Sequence, residues 1–288
     1  MIQTTGQTTG QTSGQTSGQT TGQKRELIDK FYTSSTAVDL CINIIKTHIN
    51  ISSTDLIIEP SAGNGAFIDS IKLLSNNYKF YDIKPEHTEV IKQDYLQFQL
   101  LPSTSPAKIH VIGNPPFGRQ SSLAIKFIKK SCEFCDTLSF ILPLSFKKDS
   151  LRAKVPIQFH LVTEIILPKK SFIIDELEHD VPCVFQIWEK REHPRSITEK
   201  LDPIGYNFVK KTENPDISFR RVGINAGTIT DIIEDQKVQC FYFIKFTNGL
   251  TVKENMDKLK NIQFVHNNTV GPRSISKQEL IKEFTKVI

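Results

Sequence analysis

Long apolar runs are missing from these 288 residues. A membrane-crossing helix needs about 18–20 consecutive apolar residues, and no stretch of the chain supplies them, which argues against membrane insertion. The N-terminus also lacks the basic-then-apolar pattern of an export signal. A cytoplasmic or nuclear protein is expected, neither secreted nor membrane-bound. Cysteine is sparse: of Cys41, Cys132, Cys135, Cys183 and Cys240, only Cys132 and Cys135 make a CxxC pair. A structural zinc needs a second such pair or histidines, so buried or half-buried thiols are expected and no metal site. Apolar residues are likewise absent from residues 3–22, five copies of Gln-Thr-(Thr/Ser)-Gly. With nothing to bury, this stretch cannot offset its chain entropy, and residues 1–23 are expected to form a disordered tail.

Excess charge is absent from most of the chain. Residues 1–189 hold 19 Lys+Arg against 19 Asp+Glu, whereas 190–288 hold 17 against 12, so the net +5 lies entirely in the C-terminal hundred residues. A basic annex beside a neutral body suggests a polyanionic partner; a solvated surface with ordinary lysines is the alternative.

What is present is alternation. "STAVDLCINIIKTHI" carries apolar residues at 37, 38, 40, 41, 44, 45 and 49, a helical stripe with Ser34 or Ser35 as N-cap. Short apolar runs follow at 55–59, 79–83, 109–113, 138–143, 162–168 and 183–189, separated mostly by helix-length amphipathic stretches. Such βα units predict an α/β fold with a mostly parallel sheet covered on both faces. Ligands gather at the carboxyl ends of such strands, so the polar punctuation there carries the chemistry.

After the first run comes "PSAGNGAF", residues 60–67. Gly63 and Gly65 allow close backbone approach to a ligand and Ala62 keeps that approach clear. The spacing is neither G-x-G-x-x-G nor a P-loop. Glu59 ahead of the loop would repel a pyrophosphate and attract a cationic group. The second strand ends in Asp82, about 20 residues beyond the loop, where a carboxylate can accept both ribose hydroxyls. Asp94 and Tyr95 follow at the next strand end, suited to an adenine amino group and ring face. A nucleoside with a positive tail fits this set.

"EPSAGNGAF", "YDI", "DYL", "NPPF" and "LSFILP", in this order, resemble the S-adenosylmethionine-dependent adenine-N6 DNA methyltransferases that carry a C-terminal target-recognition region. "KFYTSSTAV" is similar to that group's N-terminal cofactor-contacting segment. The resemblance covers roughly residues 30–190. Glutamine methyltransferases acting on release factors and several RNA methyltransferases share the Asn-Pro-Pro-aromatic signature. It implies a Rossmann-like class I methyltransferase sheet of seven strands over residues 24–190, and a small α+β target-recognition region over 191–288. By the same resemblance, Tyr32, Thr33, Glu59, Pro60, Ala62, Gly63, Gly65, Asp82, Ile83, Asp94, Tyr95 and Asn114 bind S-adenosyl-L-methionine.

The signature itself is Asn114-Pro115-Pro116-Phe117. An aromatic exocyclic amine is a poor nucleophile, because its lone pair is delocalised into the ring. If Asn114 Oδ1 and the Pro115 carbonyl accept its N–H bonds, the nitrogen turns tetrahedral and its lone pair can face the sulfonium methyl. Prolines fix φ and offer no competing donor. Phe117 then stacks on the target ring, and Gly118 gives the next loop room to move. A duplex base reaches such a turn only when flipped out. Cytosine-C5 chemistry would need a Pro-Cys here; the one Pro-Cys, Pro182-Cys183, opens a later strand and reads as core.

The resemblance also implies a second stacking aromatic at Phe172, with Lys169 and Lys170 near phosphates; a core residue capping the sheet is the alternative for Phe172. Residues 173–180 add four acids and a histidine, read as a solvated loop. In the annex, Arg220 and Arg221 beside Phe219, and Arg273 in a Gly-Pro turn, interleave cations and aromatics as polymer binding requires. A buttressing subdomain is the alternative. Ser276 and Glu279 predict a capped C-terminal helix. The expected function is methyl transfer to adenine N6 in DNA by a monomer; RNA adenine methylation, protein glutamine methylation and a non-catalytic nucleic-acid reader are the alternatives.

Overall fold

The computed structural model describes residues 31–100, 107–196, 199–264 and 273–288; the Gln/Thr/Gly tail, expected as disordered, lies outside the described residues. The described residues open with β1 (Tyr32–Thr33) and α1 (Ser35–His48). Ser34 caps α1, its side chain accepting the Ala37 N–H at 3.4 Å. Ala37, Val38, Cys41, Ile42 and Ile45 form the buried stripe that the sequence spacing predicts. There follow β2 (Leu56–Glu59), a short α2 (Ile68–Lys72), β3 (Asn77–Asp82), β4 (Ile91–Lys92), β5 (Ile109–Gly113), α3 (Ser122–Ser131) and β6 (Thr137–Pro143). Then come α4 (Asp149–Arg152), β7 (Phe159–Ile166), β8 (Phe172–Ile174), β9 (Leu177–His179) and β10 (Cys183–Lys190).

Seven of these strands form one sheet in the order β4-β3-β2-β5-β6-β10-β7. β10 is antiparallel to both β6 and β7, and the remaining pairings are parallel. Side chains alternate across the sheet. Ile57, Ile112, Ile141 and Phe185 pack with α1 and α2 on one face; Ile58, Val111, Leu138 and Phe140 pack with Phe127 and Ile128 of α3 on the other. Burial on both faces explains why these strands read as continuous apolar runs. This is a Rossmann-like α/β architecture, a mostly parallel seven-stranded sheet with helices on both faces. Cys183 is fully buried within it, and Cys132 and Cys135 are buried thiols.

Residues 83–90 form a loop, and β4 pairs only with the last two residues of β3. Residues 173–180 are largely exposed as expected, but they form a hairpin rather than a loop: β8 and β9 pair around Asp175 and Glu176, whose φ values of 47° and 64° are left-handed. The other edge of β8 pairs with β1, opposing Phe172 to Thr33.

Residues beyond 205 form a second sheet. β11 (Tyr206–Val209), β12 (Ile217–Arg220), β13 (Ile229–Thr230) and β14 (Phe241–Phe246) pair antiparallel in the order β11-β14-β12-β13. They share a core of Tyr206, Ile217, Phe219 and Ile244 with α5 (Val252–Leu259) and α6 (Lys277–Phe284). Both helices begin in capping boxes, Thr251 with Glu254 and the predicted Ser276 with Glu279. Lys148, just after β6, donates to the Ser274 carbonyl at 2.7 Å and so ties the two sheets together.

The two ends of the large sheet differ in kind. At the amino ends of its strands, buried His110 sits between Thr137 Oγ1 at 2.7 Å and Asp55 Oδ2 at 3.3 Å, a satisfied packing network. At the carboxyl ends lies an open cleft of about 510 Å³.

Candidate active site

The cleft is built around the turn after β2. The Ala62 N–H donates to the Tyr81 carbonyl at 2.9 Å, pinning the turn to β3. Gly65 has φ +87°, and a Cβ there would stand 2.8 Å from Ile68 Cδ1, so only glycine fits. Gly63, at φ +50°, donates its N–H to Asp82 Oδ2 at 2.9 Å. Asp82 Oδ1 accepts from the Lys84 N–H at 2.7 Å. The carboxylate at the end of β3 thus anchors the glycine turn and retains lone pairs toward the cleft. Asp94 is exposed and accepts from the Leu96 N–H at 3.0 Å, capping a short 3₁₀ turn. Ile83 is 68% exposed at the rim. From opposite sides, the Tyr32 hydroxyl donates to the Glu86 carboxylate across the glycine turn.

Glu59 is the unusual group. It is 2% exposed, and its Oε2 has no hydrogen-bond partner among the described residues. Burial, with the charge of Asp82 added, pushes its carboxyl from 4.5 up to about 8. A buried carboxylate without a partner is costly; a cation in the cleft would satisfy it. With Asp82, Glu86 and Asp94 also lining the cleft, and Lys84 as the one lysine among its lining residues, the donor set repels phosphates and suits a nucleoside with a cationic tail.

The Asn-Pro-Pro-Phe turn leaves β5 at the same end. Asn114 Nδ2 donates to the Phe31 carbonyl and to Thr33 Oγ1, both at 3.2 Å. Its backbone carbonyl accepts from Ser61 Oγ at 3.1 Å, tying the turn to the one after β2. Among the described residues no donor is bonded to Asn114 Oδ1 or the Pro115 carbonyl. The Phe117 carbonyl accepts from the Leu123 and Ala124 N–H groups, at 3.1 and 3.2 Å, which fixes the turn to the start of α3. At Gly118, φ is +65° and a Cβ would lie 2.8 Å from Leu123 Cβ, so the glycine permits close packing against α3.

The structure brings Tyr32, Thr33, Glu59, Pro60, Ala62, Gly63, Asp82, Ile83, Asp94, Tyr95 and Asn114 to Phe117 together around the cleft, with Gly65 shaping the turn behind it. Two of the expected aromatics are packed as core. Tyr95 is 2% exposed, its ring stacked with Phe98 and Phe127 and its hydroxyl bonded to Ser131 Oγ at 2.9 Å; its ring is a core member. Phe172 is fully buried, edge-on to Phe31 with ring centroids 6.0 Å apart, and is no stacking plate. Lys170 is turned to Glu178 at 2.9 Å, Lys169 is exposed, and neither lines the cleft.

Arg220, Arg221 and Arg273 also lie away from the cleft. The Arg220 guanidinium stands 5.7 Å from the Phe241 ring centroid and that of Arg221 stands 5.0 Å from Tyr242. Arg273 borders the bridge between Val222 and Ser274. Sequence reasoning missed Phe31 and Glu86 as site residues. Phe31 acts through its backbone carbonyl, which no residue type announces, and Glu86 stands in a polar loop with no pattern.

No family model matches the chain. The chain is similar to proteins described as ribosomal RNA small subunit methyltransferase A in Francisella tularensis strain FSC 198 and in subspecies novicida strain U112. Each is 26% identical over 222 residues, covering 68% of this chain and 82% of the relative. Among solved structures it is similar to a dimethyladenosine transferase from Plasmodium falciparum, with 15% identity, a TM-score of 0.40, and 57% of this chain and 64% of that one covered. It is also similar to the N-methyltransferase NodS from Bradyrhizobium japonicum in complex with S-adenosyl-L-homocysteine, with 11% identity, a TM-score of 0.38, and coverage of 54% and 87%. Likenesses this loose carry nothing about function.

Proposed function

We propose that this chain is an S-adenosylmethionine-dependent adenine-N6 methyltransferase acting on RNA. The observation that carries the reading is the state of Asn114: its amide nitrogen is occupied by Phe31 and Thr33, so its oxygen is the acceptor that remains for a ligand. That oxygen stands at a cleft where Glu59, Asp82 and Asp94 converge. S-adenosylmethionine supplies an electrophilic methyl group on a sulfonium. Asp82 is suited to accept from the ribose hydroxyls, Asp94 from the adenine amino group, and Glu59 to neutralise the cationic tail. Asn114 Oδ1 and the Pro115 carbonyl then accept the two N–H bonds of the target amine. Holding the amine in this geometry turns a bimolecular encounter into an oriented one, worth up to about 7–11 kcal/mol.

Sequence alone favoured DNA as the polymer. Relatives named for ribosomal RNA, aligned over 68% of this chain, move the preference to RNA, which needs no change to any residue of the cleft. We assign polymer holding to residues 191–288, where the charge excess lies. Single-stranded or looped RNA presents unpaired adenines without the cost of extruding them from a duplex.

The test is transfer of labelled methyl from S-adenosylmethionine to small-subunit ribosomal RNA, total RNA, single-stranded DNA and duplex DNA, followed by nucleoside digestion. Label in N6-methylated adenosine from RNA is expected. Label confined to deoxyadenosine would return the substrate to DNA. Tight cofactor binding with no label in any polymer would overturn the enzymatic reading.

A further inference from the structure

We propose that Thr33 is a positioning residue for Asn114: with the Phe31 carbonyl, it orients the side-chain amide so that oxygen rather than nitrogen faces the target amine. The inference rests on the reading of Asn114 as an amine acceptor and adds what sets that orientation. The terminal torsion of asparagine is broad and two-fold, so an unrestrained amide samples both faces. Reversed, the side chain would offer N–H donors to an amine that is itself a donor, and the activating bond would be lost.

The Phe31 carbonyl can only accept, so the group bonded to it at 3.2 Å must be the amide nitrogen. Thr33 Oγ1 supplies the second acceptor at the same distance. Two acceptors on one side of the amide choose its orientation. Both belong to one short stretch, and that stretch is held firmly. Thr33 is 7% exposed, and β1 pairs with β8 so that Thr33 opposes the fully buried Phe172. The Ser34 N–H donates to the Ser171 carbonyl at 2.9 Å, and Phe31 packs edge-on against the Phe172 ring. The β8–β9 hairpin is therefore the anchor of the strand that holds Asn114, which gives Phe172 a structural reason to be buried.

The near-isosteric Thr33→Val removes the hydroxyl acceptor, and Thr33→Ser keeps it. In the full chain, Thr33→Val is expected to lower kcat about ten- to a hundredfold, beyond any change in the Kd of S-adenosylmethionine, and Thr33→Ser to restore kcat. A second readout does not need turnover. In ¹⁵N-labelled protein, the Asn114 side-chain NH₂ signal, assigned by its loss in Asn114→Asp, is expected to be exchange-protected in wild type and Thr33→Ser, and shifted and less protected in Thr33→Val. An Asn114 amide signal unchanged by Thr33→Val overturns the proposal, as does unchanged kcat. Loss of cofactor affinity at constant kcat would make Thr33 a cofactor contact instead and likewise overturns it. Absence of methyl transfer by wild type would sink the functional reading alone, and the amide signal would still decide the positioning.

Discussion

The Asp82 carboxylate holds the Gly63 N–H at 2.9 Å, so the end of β3 fixes the shape of the turn that leaves β2. One side chain thereby shapes the cleft and offers acceptors to a ligand within it. Asn in its place keeps one acceptor but aims an NH₂ at the other backbone donor, Gly63 or Lys84. Asp82→Asn and Asp82→Ala should both weaken S-adenosylhomocysteine binding by at least about tenfold, consistent with about 1.4 kcal/mol or more for a charge-assisted hydrogen bond. Titration calorimetry measures this, and unchanged affinity would remove Asp82 from the cofactor site.

Glu59 makes the free protein sensitive to pH. A carboxyl raised in the folded state keeps its proton where the unfolded chain has released it. Its contribution is therefore fully present below pH about 4.5 and is lost as pH rises to about 8. Thermal stability of the free wild type should fall across that window more steeply than that of Glu59→Gln. A cationic ligand favours the ionised carboxylate, so S-adenosylmethionine binding should release a proton and tighten as pH rises toward 8. Calorimetry in buffers of different ionisation enthalpy reads the proton; none released would show that Glu59 does not meet the cation.

Gly65→Ala should destabilise the fold by at least about 1–3 kcal/mol, the cost of a left-handed non-glycine residue, with the 2.8 Å approach to Ile68 adding to it. Gly63→Ala, whose Cβ would come no nearer than 3.7 Å to Tyr32, should cost about 1–2 kcal/mol. Denaturant midpoints compare the two, and equal midpoints would contradict the packing at Gly65.

Arg220 and Arg221 rest on aromatic rings yet remain partly exposed. Replacing both with Gln should weaken RNA binding and flatten the slope of log K against log salt by up to about 1.4, two cations at about 0.7 each for a single strand. Filter binding across a salt series measures it. An unchanged slope would leave both residues with their packing role only.

Much of the large sheet was legible because parallel strands buried on both faces write themselves as apolar runs. The run at 109–113 became β5 with those same limits, and its polar exit is the Asn-Pro-Pro-Phe turn. Strands of two or three residues leave no period to read, so β1, β8 and β9 went unseen. That gap left both readings of Phe172 open: its neighbouring lysines suggest a surface, while its pairing with β1 draws it inside. The packing of Tyr95 was hidden for a related reason: its place after a strand end suggests a ligand, while Phe98 of the same turn and Phe127 and Phe134 from farther along the chain surround its ring.

The sequence by itself determined the kind of sheet, the glycine turn, the acids at the strand ends and the stiff acceptor motif, since each depends on residue type within a few positions along the chain. Tertiary structure alone decided which way Asn114 faces, that Glu59 Oε2 lacks a partner among the described residues, and which aromatics are core. Those properties depend on atoms brought together from segments as far apart as Phe31, Glu59, Asn114 and Phe172, and hydrogen bonding and burial act on distance in space.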